Sequence, residues 1–253
     1  MIVQQTLTQL RALKLDGMAA ALEEQLNIPA HTALSFEDRM ALLVEREAAH
    51  RGGCRLKRLL KHARLKYAQA CLEDLDMRHS RGLDAHLIAT LAHGQWIEQA
   101  QTLLICGPTG VGKTWIACAF AQKACRLGKS ALYARVPRLL EELRIARGEG
   151  SHKRKLLALA KIDVLLLDDW ALQPLEKYGR DDLLELIDDR AERRATIITA
   201  QLPTEHWHGW IGEPTIADAI LDRLHHHAHR LTLKGESLRR AKATPKNTRS
   251  DLA

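Results

Sequence analysis

Eight residues constrain this chain more than any others: Gly107-Pro108-Thr109-Gly110-Val111-Gly112-Lys113-Thr114. A run of four apolar residues, 103–106, precedes them, and an apolar-rich stretch with helical character follows from Trp115. Glycine at the first, fourth and sixth places lets a loop curl until its backbone N–H groups converge on one anion. The start of the following helix adds partial positive charge at the same point. Lysine in the seventh place can reach the outer phosphates of a nucleotide, and the threonine hydroxyl beside it can serve a Mg²⁺ ion. Strand, loop and helix in this order predict a phosphate cradle formed by residues 107–114, with Trp115 flanking it.

A cradle of this kind needs a carboxylate on a neighbouring strand. Val164-Leu165-Leu166-Leu167 is an apolar run that ends in Asp168 and Asp169. Asp168 is the candidate metal carboxylate, acting with Thr114 on Mg²⁺. Asp169 stands where a water-orienting glutamate is usual in such sites. It is one methylene shorter, which predicts slow hydrolysis. Around these motifs short apolar runs alternate with helical stretches. Strands are expected at 103–106, 131–134, 164–168, 196–199 and 230–233, with helices at 114–127, 136–148 and 180–193. That alternation is the pattern of an α/β parallel sheet covered by helices.

The first 75 or so residues show only helical periodicity. Ser35 and Asp38 form a candidate helix cap, followed by the stripe Phe36, Met40, Leu43 and Val44. Gly52-Gly53 predicts a break or bend. A polar stretch near 72–83 suggests a domain junction, and 87–99 reads as one helix leading into the core. The expected organisation is a helical N-terminal domain over 1–84, a nucleotide-binding domain over 85–240, and a disordered basic tail over 241–253. Five cysteines with no paired spacing argue against a disulfide framework or a four-cysteine zinc site. No apolar run is long enough for a membrane span, and the first residues lack signal-peptide features. The expected compartment is the cytoplasm.

The net charge is +7, and its excess lies on the flanks. Residues 87–229 carry 18 basic and 18 acidic side chains, whereas the last 24 residues carry seven basic and two acidic ones. Arg46, Arg51, Arg55, Lys57, Arg58, Lys61, Arg64 and Lys66 fall within 21 residues that hold a single acid, Glu47. Arg55, Arg58 and Lys61 come on neighbouring turns of one helical face, which suits contact with DNA phosphates without base reading. Arg51 and Arg64 extend that candidate DNA-binding set. Tyr67 is the one aromatic residue nearby, so stacking on single strands is not favoured.

Taken in order, GPTGVGKT, LLLDDW, TIITAQLP, the segment Ile220-Leu221-Asp222-Arg223-Leu224, and Leu233-Lys234-Gly235-Glu236-Ser237-Leu238-Arg239-Arg240 resemble the IstB-type transposition helper ATPases of bacterial insertion sequences. DnaC-type helicase loaders are relatives, and both belong to the AAA+ class. The resemblance spans nearly the whole chain. It implies a five-stranded parallel sheet of order 5-1-4-3-2 with helices on both faces, and an ATP·Mg²⁺ site. It also implies homo-oligomers on double-stranded DNA that act with a cognate transposase, with no membrane partner. By position, Thr199 or Gln201 takes the γ-phosphate sensor role. Arg223 resembles an arginine finger that reaches a neighbour's nucleotide. Arg239, or alternatively Arg240, resembles the arginine that closes the Ser-x-Arg motif of DnaC-type proteins, a reader of the nucleotide or of DNA. A helicase loader, and a DNA scaffold gated by ATP with little hydrolysis, are the competing readings.

Overall fold

The computed structural model describes residues 2–28, 34–77 and 82–238. Arg239, Arg240 and the expected tail lie outside them. The chain divides into two compact units, Met1–Arg58 and Leu59–Ala253. The division thus falls nearer the N-terminus than the junction expected around residue 84. The reason lies in residues 59–77, which pack with the second unit: Ala63 and Ala70 are buried, and Arg126 holds Glu73 at 2.7 Å.

The first unit is built from α1 (Ile2–Ala12), α2 (Asp16–Asn27) and most of α3 (Phe36–Ala63). Ser35 caps α3 as expected, its hydroxyl accepting from the Asp38 amide at 3.1 Å. Gly17 lets α2 approach α3 closely, since a Cβ there would lie 2.8 Å from the Arg46 carbonyl and the Glu47 Cα. Glu47, buried at this crossing, accepts from the Met18 amide at 3.1 Å and from Arg51 at 2.6 Å. The stripe Phe36, Met40, Leu43 and Val44 lies on α3 as expected, and of the four only Leu43 is buried. The face that meets α2 runs through Leu43 and Glu47 and leaves the other three in solvent. The break expected at Gly52-Gly53 does not occur, and the helix continues through both residues. Glycine costs only about 1 kcal/mol per position in a helix, and neither residue has a neighbour that would exploit a bend.

The second unit contains a parallel sheet of β1 (Thr102–Cys106), β2 (Ala131–Arg135), β3 (Val164–Trp170), β4 (Ala195–Ala200) and β5 (His229–Thr232). Their order is β2-β3-β4-β1-β5, the expected arrangement read from the opposite edge. All pairs are parallel. The strands read as continuous apolar runs because both sheet faces are covered. Leu104, Leu165, Leu167 and Ile198 share one cluster with α7 (Val136–Gly148), α8 (His152–Ala160), α9 (Lys177–Arg190), α10 (Trp207–Ile211) and α11 (Pro214–His225). The alternate residues Leu103, Ile105, Leu166 and Ile197 are equally buried. On that side α6 (Lys113–Arg126) packs along β1 to β4.

Ahead of the sheet, the single helix expected over 87–99 is two, α4 (Ala85–Ala92) and α5 (Gln95–Glu98). Gly94 separates them at φ +84°, where a Cβ would strike Leu127 at 2.4 Å. At the amino-terminal end of the sheet, the buried Arg190 guanidinium donates to the carbonyls of Leu159 and Ile162, each at 2.8 Å. It also donates to the Ala195 carbonyl and, at 3.2 Å, to the Thr196 hydroxyl. One side chain therefore ties the entries of β3 and β4 together.

Candidate nucleotide site

β1 delivers the loop 107–112 at the carboxyl ends of the strands, and α6 begins at Lys113. The site is assembled at this end of the sheet, as open α/β sheets favour. Gly107, Gly110 and Gly112 take φ of 150°, 86° and 96°. The two larger clashes explain the glycines. A Cβ at Gly107 would lie 2.5 Å from the Leu233 carbonyl, and one at Gly110 would lie 2.1 Å from the Ser237 hydroxyl. The segment after β5 therefore lies directly against the loop, and the Leu238 amide donates to the Gly110 carbonyl at 3.0 Å. Lys113 is buried, with its ammonium donating to the Gly107 and Pro108 carbonyls at 2.8 Å each. Trp115 is half-buried on the first turn of α6.

β3 brings Asp168 to the start of α6. The carboxylate is fully buried and surrounded by donors. Its Oδ1 accepts from Thr114 Oγ1 at 2.8 Å and from Thr199 Oγ1 at 2.5 Å. Its Oδ2 accepts from the Tyr133 hydroxyl at 2.7 Å, and Lys66 Nζ lies 3.9 Å away. Burial, reinforced by that hydrogen bond to the carboxylate, raises the Tyr133 pKa, so the phenol keeps its proton. Cys106, at the end of β1, is pushed up to about 11 by burial and is a thiol at neutral pH, so it supplies no nucleophile.

Asp169 does not continue the strand. β3 pairs with β4 at Leu167↔Ile198 and resumes at Trp170↔Ala200, so one extra residue sits in β3. Asp169 takes φ +59° at this bulge. Simple alternation would send neighbouring carboxylates to opposite faces, and a bulge re-aims one of them. The Thr199 hydroxyl binds both residues, since the Asp169 amide donates to it at 3.3 Å. Arg135, at the end of β2, grips the Asp169 carboxylate at 2.6 Å.

Of the residues singled out in the sequence, 107–115, Asp168, Asp169, Thr199 and Gln201 come together here. Gln201 accepts from the Thr109 hydroxyl at 2.7 Å on the lip of the loop, while Thr199 lies buried beneath it. Arg223 is elsewhere. It pairs with Asp188 at 2.6 Å and lines a cavity of about 360 Å³ with Thr102 and Thr196, the first residues of β1 and the second of β4. This is the amino-terminal end of the strands, about 13 Å of strand away from the loop. Arg51, Arg55, Arg58 and Lys61 are exposed along α3, and Arg64 is exposed just beyond its end. Tyr133, Arg135 and Ser237 were not anticipated. The signal available for the first two was the polar ending of the 131–135 strand, which the expected sheet order places beside 164–168.

The sheet order, the glycine loop on β1 and the carboxylate at the end of β3 define a P-loop protein of the AAA+ class. Known structures agree on the fold: the DnaC helicase loader matches with a TM-score of 0.56 at 20% identity, over 67% of this chain and 99% of that one. DnaA from Aquifex aeolicus bound to AMPPCP matches with a TM-score of 0.54 at 14% identity, over 68% and 52%. In sequence, the family of IstB-like ATP binding proteins matches residues 8–245, and the chain belongs to that family. An ATP-binding protein of insertion sequence IS1162 from Pseudomonas fluorescens is 62% identical over 81% of this chain and 88% of its own length. The insertion sequence ATP-binding protein y4pL of Sinorhizobium fredii is 49% identical over 95% and 98%.

Proposed function

We propose that the chain hydrolyses ATP, assembles as a homo-oligomer on double-stranded DNA in the cytoplasm, and helps a cognate transposase select or activate its target site. The observation that carries this reading is the meeting of Thr114, Asp168 and Asp169 at the mouth of a loop whose Gly107 and Gly110 admit no larger residue. The insertion-sequence origin of the relatives supports the link to transposition.

Loop amides of 107–114 and the Lys113 ammonium bind the phosphates, Trp115 flanks them, and Arg239 takes the nucleotide-reading role that its motif implies. Thr114 and Asp168 offer hard oxygen donors, which fit Mg²⁺, and the ion would neutralise charge on the phosphates. Asp169 orients the attacking water, its carboxylate steered by Arg135 and its backbone by Thr199. Thr199 and Gln201 occupy the two positions from which the end of β4 could respond to the outer phosphate. Arg223 serves a neighbouring subunit's site, since its own lies at the other end of the sheet. The basic face of α3 and the residues just beyond it, through Arg51, Arg55, Arg58, Lys61 and Arg64, contact DNA.

Steady-state phosphate release with and without duplex DNA tests the proposal, alongside Asp169→Asn. The parent should turn over slowly and accelerate on duplex DNA. The variant should bind nucleotide normally and turn over about a hundredfold more slowly or worse, the loss typical of a missing general base. Parental turnover in Asp169→Asn would remove that residue from the chemistry. Stimulation by single-stranded DNA alone would favour a loader instead.

A further inference from the structure

The Asp168 carboxylate has a cationic neighbour that the reading above does not use. Lys66 follows α3 by three residues, and its ammonium lies 3.9 Å from Asp168 Oδ2. Its backbone lies close to the same place. The amides of Lys66 and Tyr67 lie near the thiol of Cys118, a fully buried residue of the helix that starts at Lys113. The Lys66 ammonium also lies 5.9 Å from the centre of the Tyr67 ring. The side chain is otherwise about 40% exposed, so it has a free path into solvent.

A buried carboxylate is tolerated only with compensating partners. Three of the four groups around Asp168 are neutral hydroxyls: Thr114, Thr199 and Tyr133. Those three sit on the sheet or on α6. Lys66 is the charged one of the four, the most distant, and the one on a connecting segment. A divalent cation drawn to Asp168 would be repelled by an ammonium ion within about 4 Å, and each would weaken the other's hold on the carboxylate. We propose that Lys66 is an internal counter-ion that competes with Mg²⁺ for Asp168, so that loading of the metal nucleotide releases the segment carrying Lys66. This rests on the nucleotide reading of the site and extends it to the segment that leaves α3.

The experiment is a Mg²⁺ titration of the binding of a fluorescent non-hydrolysable ATP analogue. It compares the parent with Lys66→Met and Lys66→Arg, with circular dichroism to verify folding. Removing the charge should lower the half-saturating Mg²⁺ concentration by at least about fivefold, while Lys66→Arg stays near the parent. A second measurement uses the unmodified chain. Hydrogen exchange at the amides of residues 66 and 67 should accelerate when analogue and Mg²⁺ are added together, and not with analogue in EDTA. An unchanged midpoint in a folded Lys66→Met protein, or a raised one, overturns the proposal, the second outcome placing Lys66 on the phosphates. Exchange that is indifferent to Mg²⁺ overturns the release. Failure of the parent to bind the analogue at any Mg²⁺ concentration would instead refute the nucleotide site itself.

Discussion

Gly110→Ala tests how tightly the segment after β5 is coupled to the phosphate loop. The glycine sits at φ +86°, and an added methyl would lie 2.1 Å from the Ser237 hydroxyl, 2.7 Å from its Cβ and 3.2 Å from its Cα. The left-handed backbone costs a non-glycine residue about 1–2 kcal/mol. Rotating the Ser237 hydroxyl away does not remove its Cβ, so the segment must shift, endangering the hydrogen bond from Leu238 to the Gly110 carbonyl, worth about 1 kcal/mol. The free loop can relieve both by leaving the cradle geometry, so binding must restore it. An energy of about 2–3 kcal/mol corresponds to about 30- to 150-fold weaker nucleotide affinity. Anisotropy of a fluorescent ATP analogue measures this, with thermal melting to confirm that the sheet remains folded. Adding Ser237→Gly to the variant deletes the hydroxyl and Cβ but leaves the backbone strain. It should therefore recover several-fold and not completely. Affinity within twofold of the parent, or no recovery in the double variant, would refute the coupling.

Three further outcomes follow from the geometry. Arg190→Met keeps the bulk of the side chain but strips the carbonyls of Leu159, Ile162 and Ala195 of their donor. It should cost about 3–5 kcal/mol and lower the melting temperature by about 10 °C, and a drop under 2 °C in calorimetry would show that water replaces the guanidinium without penalty. Arg223→Ala should bind nucleotide normally yet lose turnover in assemblies. Mixing it with Asp169→Asn subunits should restore some turnover, and intact assemblies with no rescue at any ratio would argue against action on a neighbour. Replacing Arg55, Arg58 and Lys61 together by alanine should leave ATP binding intact. It should also flatten the slope of log DNA affinity against log salt by up to about one unit per lost phosphate contact, and an unchanged slope would show these side chains to be merely solvated.

The phosphate loop, Asp168 and the five strands were legible in the linear chain because each depends on local chemistry. Glycines at fixed spacing, a lysine-threonine pair at a helix start and apolar runs ending in carboxylates carry their physical meaning wherever they occur. The same local logic located the Ser35 cap on α3. It failed where a neighbour decides. Gly52 and Gly53 look like a break, yet the helix passes through them. Phe36, Met40 and Val44 share a helical stripe with Leu43, yet only Leu43 is buried, because α2 packs on a face that leaves the other three exposed.

What the linear chain alone determined is therefore the class of fold and the ingredients of the site: a parallel sheet, a glycine cradle and a metal-competent carboxylate. What the tertiary structure decided is how those ingredients are held. Tyr133, Thr199 and Lys66 reach Asp168 from three separate segments. Arg135 reaches Asp169 because β2 lies beside β3. Asp169 turns because β3 carries one residue more than β4 can pair with. Spacing along a chain reports periodicity and turn chemistry over a few residues, whereas a bulge, an ion pair between strands and a close approach to Ser237 depend on which distant segments the packed sheet brings within bonding distance.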